Sequence, residues 1–288
     1  MISRKRSRLA SIFIFIFAFS FLGHPSPSQS ESHRILQFAK QDWQVTNSLW
    51  TKIAPGGNYF SDSEKNVSVD RDGKLHLTLR YDSNLDAWTC AQIVSQEVAQ
   101  YGTYSFIIDQ NLERLDQNVV LGIFLYKSDP DFPTARAEID LEFSKWGFPK
   151  QNESGEWVDI DHNSWYVLWP SWEEGETPVP QYTEGFSLEM SEYEKTMHEI
   201  QWEDFYLSFR SYVFDPLKHE FADLQRYYPY YQAEYKQTSF GEDAIYIPLE
   251  EDRMKLTINL WLIEEASDPF DCEEIEITLQ MKYRPPGQ

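Results

Sequence analysis

The chain of 288 residues carries 47 Asp and Glu residues against 25 Lys and Arg residues, which gives a formal net charge of −22 at pH 7. Such a charge disfavours nucleic acid and anionic membranes as partners, because phosphate groups are repelled. It also disfavours strongly anionic polysaccharides, whereas a neutral glycan suits this surface.

The first 30 residues have the pattern of a signal peptide. Four basic residues precede the apolar run Ile12–Leu22, whose 11 residues are too few to span a bilayer comfortably. We therefore expect residues 1–30 to be a signal peptide with a short linker and residues 31–288 to form a single domain. The mature protein is then expected to be secreted or periplasmic, a monomer, and free of membrane contact after cleavage. An uncleaved anchor is the alternative.

Several later segments alternate apolar and polar residues with a period of two, as strands do. Lys74–Arg80 follows the turn signal Asp72-Gly73. Phe205–Phe214, Met254–Trp261 and Ile275–Tyr283 alternate in the same way. Long alternating strands with few helical segments predict an all-β fold, an antiparallel two-sheet β-sandwich.

Three carboxylates alternate with apolar residues in the run Ala137–Phe143. A period of two places Glu138, Asp140 and Glu142 on one face of a strand. Burying three neighbouring like charges in a core is costly, so this row is typical of a cleft that performs chemistry. The alternative is a solvated strand face on a very acidic protein.

Paired carboxyl groups on the two sides of one bond are the usual apparatus of glycoside hydrolysis, with one protonated and one ionised. At about 3.3 Å per residue, the Cα atoms of Glu138 and Glu142 are expected to lie roughly 13 Å apart. Their long side chains can converge over Asp140 to the spacing of about 5–5.5 Å that a retaining mechanism needs. The row thus favours an enzyme acting on glycosidic bonds.

Tryptophan and tyrosine side chains crowd the region that follows this strand. They are Trp146, Trp157, Trp165, Tyr166, Trp169 and Trp172. Exposed aromatic side chains at this density usually bind something, and aromatic rings pack on the C–H faces of sugars. We expect Trp169 to face the cleft as a substrate-binding residue and Trp146 to support the catalytic strand from behind.

The segment Leu217–Phe240 differs from its surroundings and is predicted to form a short helix plus a loop. It contains the tyrosine cluster Tyr227–Tyr231. These rings would either stack on sugars or form a small hydrophobic cluster under a long loop.

The run Glu138–Glu142 resembles the E-[ILV]-D-x-E signature of glycoside hydrolase family 16, the group of laminarinases and lichenases. Four weaker segments extend the resemblance in the same order over roughly residues 40–284. They are Tyr101–Phe106, Val119–Tyr126, His198–Trp202 and Asn259–Trp261. The resemblance implies a jelly roll of the concanavalin A-like type, with the substrate cleft across the concave sheet.

The resemblance also implies roles for individual residues. Glu138 would be the nucleophile, Glu142 the acid/base, and Asp140 a hydrogen-bond partner of Glu138. Asn259 and Trp261 would line the sugar subsites, and Gln92 occupies a sugar-binding position of the family. The alternatives are a solvent-facing polar group for Asn259 and core packing for Trp261.

The chain departs from the lichenase pattern beside these residues. Lichenase-type members carry Glu and Arg where this chain has Gln92 and Val94, and an aromatic residue where it has Arg136-Ala137. The catalytic set is therefore complete while the sugar-binding set differs, which leaves the polysaccharide and its linkage open.

The sequence predicts an exported, endo-acting, retaining glycoside hydrolase whose partner is a β-linked polysaccharide of the β-glucan or galactan class. A non-catalytic lectin-like sandwich and a transglycosylase using the same residues are the alternatives. No cofactor and no catalytic metal are expected, although a structural calcium ion is possible. Cys90 and Cys272 are expected to form a disulfide in an exported chain, with two buried free thiols as the alternative.

Overall fold

The computed structural model describes residues 33–48, 50–127, 136–152, 154–172, 182–188, 190, 195–204, 206–215, 218–231, 247–264, 266 and 268–287. The predicted signal peptide lies outside these residues. It therefore stays a prediction, as do the cleavage and export that depend on it.

Strands dominate the described residues. They are β1 (Ile35–Phe38), β2 (Gln41–Val45), β3 (Tyr59–Phe60), β4 (Val67–Val69), β5 (Leu75–Asp82), β6 (Ala87–Val98), β7 (Gly102–Ile108), β8 (Val119–Tyr126), β9 (Arg136–Phe143), β10 (Lys150–Gln151), β11 (Trp157–Val158), β12 (Ser164–Trp172), β13 (Tyr182–Phe186), β14 (Thr196–Glu203), β15 (Tyr206–Asp215), β16 (Glu220–Tyr231), β17 (Lys255–Leu262) and β18 (Ile275–Arg284). Two short 3-10 helices span Leu112–Arg114 and Glu250–Asp252. No helix in the described ranges is long and apolar enough to cross a membrane.

The strands form two large antiparallel sheets. The first has the order β13-β12-β9-β8-β17-β6, and the second has the order β5-β18-β7-β14-β15-β16. The β5–β6 pair, in which Arg80 lies opposite Thr89, joins the two sheets along one edge. The short strand β3 pairs in parallel with β6. This architecture confirms the predicted antiparallel β-sandwich.

Aromatic side chains from both sheets interlock in the core. Tyr166 of the first sheet stacks on Phe209 of the second, with ring centroids 4.7 Å apart. Phe143, on the carboxylate strand, packs edge-on against the His198 ring at 4.6 Å. Burial lowers the pKa of His198 to about 3, so this imidazole is neutral in the core. The back of the carboxylate strand is therefore anchored directly to the second sheet.

The alternating sequence segments occupy strands as predicted. In β5 every second residue from Leu75 to Leu79 is buried, and the preceding turn places Gly73 at φ +78°. Such a positive φ favours glycine over residues that carry a Cβ atom. The hairpin with β4 then sets Val69 opposite Leu75.

The predicted helix within Leu217–Phe240 is wrong for the part that the structure describes. Residues Glu220–Tyr231 form strand β16, which pairs with β15 along its length. The aromatic residues that suggested a loop also have high strand propensity. Pro229 is compatible with this strand because β16 lies at the end of the described sheet, and proline within sheets is found mainly on edge strands. Residues 232–240 lie outside the described ranges.

The predicted disulfide is also wrong, since both thiols are free. Cys90 is buried in β6, and burial raises its pKa to about 12. Cys272 is exposed after a turn in which its N–H donates to the Pro269 carbonyl oxygen at 3.1 Å. A period-two sequence pattern does not tell whether a cysteine is buried or exposed, so it could not show that Cys90 and Cys272 lie in different environments.

Candidate active site

Strand β9 carries the three carboxylates on the face turned away from the core. Its apolar residues from Ala137 to Phe143 are fully buried. Glu138 and Glu142 are half-buried on the opposite face, and Asp140 between them is 4% exposed. The strand lies between β8 and β12, so neighbouring side chains flank the row on both sides. The predicted alternation is confirmed, and it brings the three carboxylates together.

The proximity of the carboxylates changes their acidity. Burial and the charge of Glu138 raise the pKa of Glu142 to about 8. Burial, followed by the charges of Glu138 and Glu142, raises the pKa of Asp140 well above its usual range. Asp140 also hydrogen-bonds Glu138, and a protonated carboxyl is the donor in such a pair. At neutral pH the Glu142 carboxyl is therefore mainly protonated.

Polar side chains occupy the β17 and β6 side of the row. Gly122 of β8 lies opposite Glu142 on one side and opposite Asn259 of β17 on the other. The Asn259 amide nitrogen donates to Gln92 Oε1 at 3.2 Å, and Gln92 Nε2 donates to Thr46 Oγ1 at 2.9 Å. Gln92 and Asn259, both predicted substrate-binding residues, are thus joined in one hydrogen-bonded chain.

Asn259 is fully buried, although it lies on the same face as the carboxylates. Its Oδ1 atom lies 2.5 Å from the position that a Cβ atom at residue 122 would occupy. This oxygen has no hydrogen-bond partner among the described residues. The missing side chain at Gly122 thus provides the space that Asn259 fills beside Glu142.

Tryptophans occupy the β12 side of the row. Trp169 lies opposite Glu138, and Trp165 lies opposite Glu142. Both indoles are half-buried, whereas Tyr166 between them is fully buried in the core. Trp169 therefore lies on the predicted face, and its sugar contact stays a prediction. Each glutamate has one tryptophan as its direct cross-strand neighbour.

Trp261 is 3% exposed and lies in an aromatic cluster at one end of the cleft face. Its ring meets Trp146 edge-on, with centroids 6.0 Å apart. A Cβ atom at Gly56 would come within 2.9 Å of Trp261 Cε3, so the loop around Gly56 covers the indole closely. The assignment of Trp261 as a sugar contact stays a prediction, and Trp146 packs against Trp261.

The residue that replaces a lichenase-type arginine contributes no charge here. Val94 of β6 lies opposite Thr257 of β17 and opposite Gln44 of β2. Thr257 is buried, and Val94 is half-buried. The carboxylate face of the sheet is therefore less polar at Val94 than in the lichenase pattern.

Gly122 and His162 lie beside predicted site residues but are not themselves predicted from the sequence. A glycine inside an apolar strand often marks a position that another group approaches closely. Gly122 could have been identified in this way. His162 precedes β12 and contacts Trp165, a pairing that the sequence does not encode in any local motif.

A cavity of about 840 Å³ lies away from the carboxylate row. Its lining includes Tyr104, Leu256, Met281 and the turn at Lys40. None of the three carboxylates lines this cavity. This cavity therefore lies apart from the candidate site on β9.

No group of three or more His, Cys, Asp or Glu side chains is placed to hold a metal ion within the described part of the chain. The possible structural calcium ion therefore stays a prediction.

Solved structures resemble this fold closely enough to align most of the chain. A β-glucanase from Bacillus licheniformis has a TM-score of 0.51 at 14% identity, covering 84% of this chain and 91% of that one. A family 16 glycoside hydrolase from Bacteroides ovatus, solved with a mixed-linkage glucan product, has a TM-score of 0.54 at 12% identity, covering 84% and 94%. The chain has the fold of the family 16 β-glucanases.

A third structure shows that this fold also occurs in a protein described as a pseudo β-1,3-glucanase, an antigen of Mycobacterium tuberculosis. Its TM-score is 0.54 at 14% identity, covering 84% of this chain and 91% of that chain. No protein-family model and no curated protein sequence matches this chain. At such low identity the likeness establishes the fold, while function depends on the side chains described above.

Proposed function

We propose that the protein is a glycoside hydrolase that cleaves a neutral β-linked polysaccharide by a retaining, double-displacement mechanism. The observation that carries this proposal is the carboxylate row of β9, in which Glu142 has a pKa of about 8 and stands two residues from Asp140. An acid that stays protonated near neutral pH beside further carboxylates is the arrangement that this reaction needs.

In the first step, the Glu138 carboxylate attacks the anomeric carbon and forms a glycosyl ester. The bond from that carbon to the glycosidic oxygen breaks, and Glu142 gives its proton to the departing oxygen. In the second step, Glu142, now ionised, takes a proton from water. The resulting hydroxide attacks the anomeric carbon and releases Glu138, and the anomeric configuration is retained.

Asp140 assists by holding Glu138. Its hydrogen bond to Glu138 fixes the orientation of the nucleophile, and its nearly complete burial keeps water away from that contact. As Glu138 becomes an ester, the row loses one negative charge. The pKa of Glu142 is then expected to fall, which suits its change from acid to base.

The substrate class follows from charge and from the structural neighbours. The net charge of −22 disfavours anionic polymers. The glucan product in the Bacteroides ovatus structure supports a β-glucan as the first candidate. The exchange of a lichenase-type arginine for Val94 supports a changed linkage preference or a galactan as the next candidates. We also propose that the protein acts outside the cytoplasm, on the basis of its N-terminal pattern.

A lectin-like role is the second candidate, and it is favoured by the burial of Asn259 and Trp261, two predicted sugar contacts. The existence of a pseudo-glucanase with the same fold also favours it. The retained carboxylate row argues against this role, because a binding protein gains nothing from three mutually repelling groups.

The test is reducing-sugar release by the mature protein from lichenan, laminarin, xyloglucan, galactan, agarose and chitin. Glu142→Gln is the matched control, since glutamine keeps the shape of the side chain but donates no labile carboxyl proton. Release from one polymer that is lost in the variant would establish hydrolysis and identify the substrate together.

A negative result in this assay would favour the lectin-like role. If no polymer yields reducing ends while one of them retards the protein in an affinity gel, the protein binds that polymer without cleaving it, and the hydrolase proposal is wrong. Release by the Glu142→Gln variant at the wild-type rate would contradict the acid/base assignment.

A further inference from the structure

We infer that His162 is a positioning residue that holds Trp165 beside Glu142, and that this ring pair binds the leaving-group sugar. The inference rests on the proposed function and adds to it the residues that recognise the leaving group. We call His162 and Trp165 the ring pair.

Trp165 is placed for this role by the register of the sheet. It lies directly opposite Glu142 in the β9–β12 pair and on the same face. Its indole is half-buried, so part of the ring surface remains accessible on the carboxylate face. A proton donor and an aromatic surface are therefore direct neighbours.

Two contacts fix the orientation of the Trp165 indole. Its Nε1–H donates to the Ser144 carbonyl oxygen at 3.0 Å, two residues beyond Glu142 on the same chain segment. The His162 ring meets the indole at 5.7 Å and 85°, an edge-to-face geometry. Such aromatic contacts contribute beyond the area that they bury. Trp165 is thus held in one orientation before any ligand arrives.

Gly185 of β13 makes room for this arrangement. It lies opposite Trp165, and a Cβ atom there would come within 2.5 Å of His162 Cδ2 and 2.7 Å of Trp165 Cζ3. Both rings therefore fill the space above one glycine. His162 Nδ1 is buried and has no hydrogen-bond partner within the described ranges, so packing accounts for the position of this ring.

The two cross-strand neighbours of Glu142 differ in accessibility, and this difference indicates on which side the leaving-group sugar would bind. On one side Gly122 is buried, and the oxygen of Asn259 fills the space above it. On the other side lies the half-buried Trp165 indole. Because Glu142 protonates the departing oxygen, the leaving sugar must lie beside Glu142. Among the described residues, the ring of Trp165 is an accessible apolar surface beside Glu142, and it suits the C–H face of a sugar ring.

The test uses two substrates with the same glycone, one with a sugar leaving group and one with fluoride. Fluoride needs neither an aromatic platform nor a proton from Glu142. We expect His162→Ala to raise KM for the sugar-leaving substrate about 3- to 10-fold, the range of one aromatic contact. Its kcat/KM for the fluoride should match wild type. His162→Phe retains an aromatic edge and should restore the wild-type KM.

Two further variants sharpen the test. Gly185→Ala, which pushes on both rings, should reproduce the effect of His162→Ala if it folds. Trp157→Ala, at a tryptophan that is 70% exposed on the separate β10–β11 hairpin, should leave both substrates unchanged. Thermal unfolding of each variant reports whether the fold is retained.

Equal loss on both substrates by a folded His162→Ala variant, or no loss on either, would overturn the inference while leaving the proposed function standing. If the wild type cleaves nothing, retardation in a gel containing lichenan takes over as the measurement. Weaker retardation of His162→Ala than of His162→Phe would then support a binding role for the ring pair. Absence of both cleavage and retardation in the wild type would overturn the inference together with the proposed function.

Discussion

The side-chain oxygen of Asn259 lies 2.5 Å from the point at which a side chain at Gly122 would begin. Gly122 of β8 has no side chain, and the side chain of Asn259, opposite it on β17, occupies the space that is left. Because Gly122 also lies opposite Glu142, the contact places a buried amide oxygen at the edge of the carboxylate row.

Gly122→Ala should therefore destabilise the protein by about 1–3 kcal/mol, the usual range for overpacking a buried site. The new methyl group would displace Asn259 and break its hydrogen bond to Gln92. Asn259→Ala should relieve the clash, so the double variant should be less destabilised than the sum of the two single variants. Denaturant unfolding of all four proteins measures this coupling. Additive effects would show that Asn259 moves away freely.

The roles of the two glutamates are separable with azide, a small nucleophile. In Glu142→Ala, azide can attack the glycosyl-enzyme at Glu138, so the product should be a β-glycosyl azide of retained configuration. In Glu138→Ala, azide can replace the missing nucleophile and should give the inverted α-product. Without azide, each variant should lose at least about 10³-fold in kcat. The same azide product from both variants would contradict the assignment.

Activity should decline on the alkaline side as Glu142 ionises. Its pKa of about 8 means that the acid form dominates below that pH and is lost above it. We expect kcat/KM to fall about tenfold per pH unit above this pKa. In Glu138→Gln the pKa of Glu142 should be lower, because the charge of Glu138 no longer opposes its ionisation. The carboxyl carbon shift of Glu142 in NMR spectra follows both titrations. An unchanged pKa in the variant would exclude coupling between the two groups.

The same proton affects stability. The folded pKa of Glu142 is about 8, above the ordinary value of 4.5, so ionising this group opposes folding. Its contribution to stability is fully present below pH 4.5 and is lost as pH rises toward about 8. Glu142→Gln has no such ionisable group. Across this pH range, the free energy of unfolding of the wild type should therefore fall by roughly a few kcal/mol relative to that of the variant. Unfolding curves at successive pH values measure the difference. Parallel curves would mean that Glu142 keeps an ordinary pKa.

Thiol labelling tests the two free cysteines. In the native protein we expect an aromatic disulfide reagent to modify Cys272, which is exposed, and to leave the buried Cys90 unmodified. Burial also raises the pKa of Cys90 to about 12, which suppresses the reactive thiolate. Both should react after unfolding. A melting temperature that drops on adding a reductant would indicate a disulfide and contradict the free state.

The sequence predicted the fold class and the composition of the carboxylate row because both follow from a period of two. Alternation tells which face a residue occupies, and Glu138, Asp140 and Glu142 lie on that face. Alternation does not tell which residue of another strand lies opposite. The pairing of Glu142 with Trp165 therefore emerged only from the register.

Like the strand register, the burial of individual side chains could not be predicted from the alternation of apolar and polar residues. Asn259 lies on the predicted face but is fully buried beside Gln92 and Gly122. Strand β16 was missed for a related reason, since an edge strand tolerates the proline and polar residues that suggest a loop. Cys90 and Cys272 failed to pair because their distance depends on tertiary structure alone.

The position of β18 has a consequence for how the chain reaches its native state. This last strand, Ile275–Arg284, lies between β5 and β7, inside the second sheet and not at its edge. Until β18 pairs, β5 and β7 lack their shared neighbour. The second sheet therefore cannot close before β18 joins it, and pairings between strands so far apart in the chain make that closure slow.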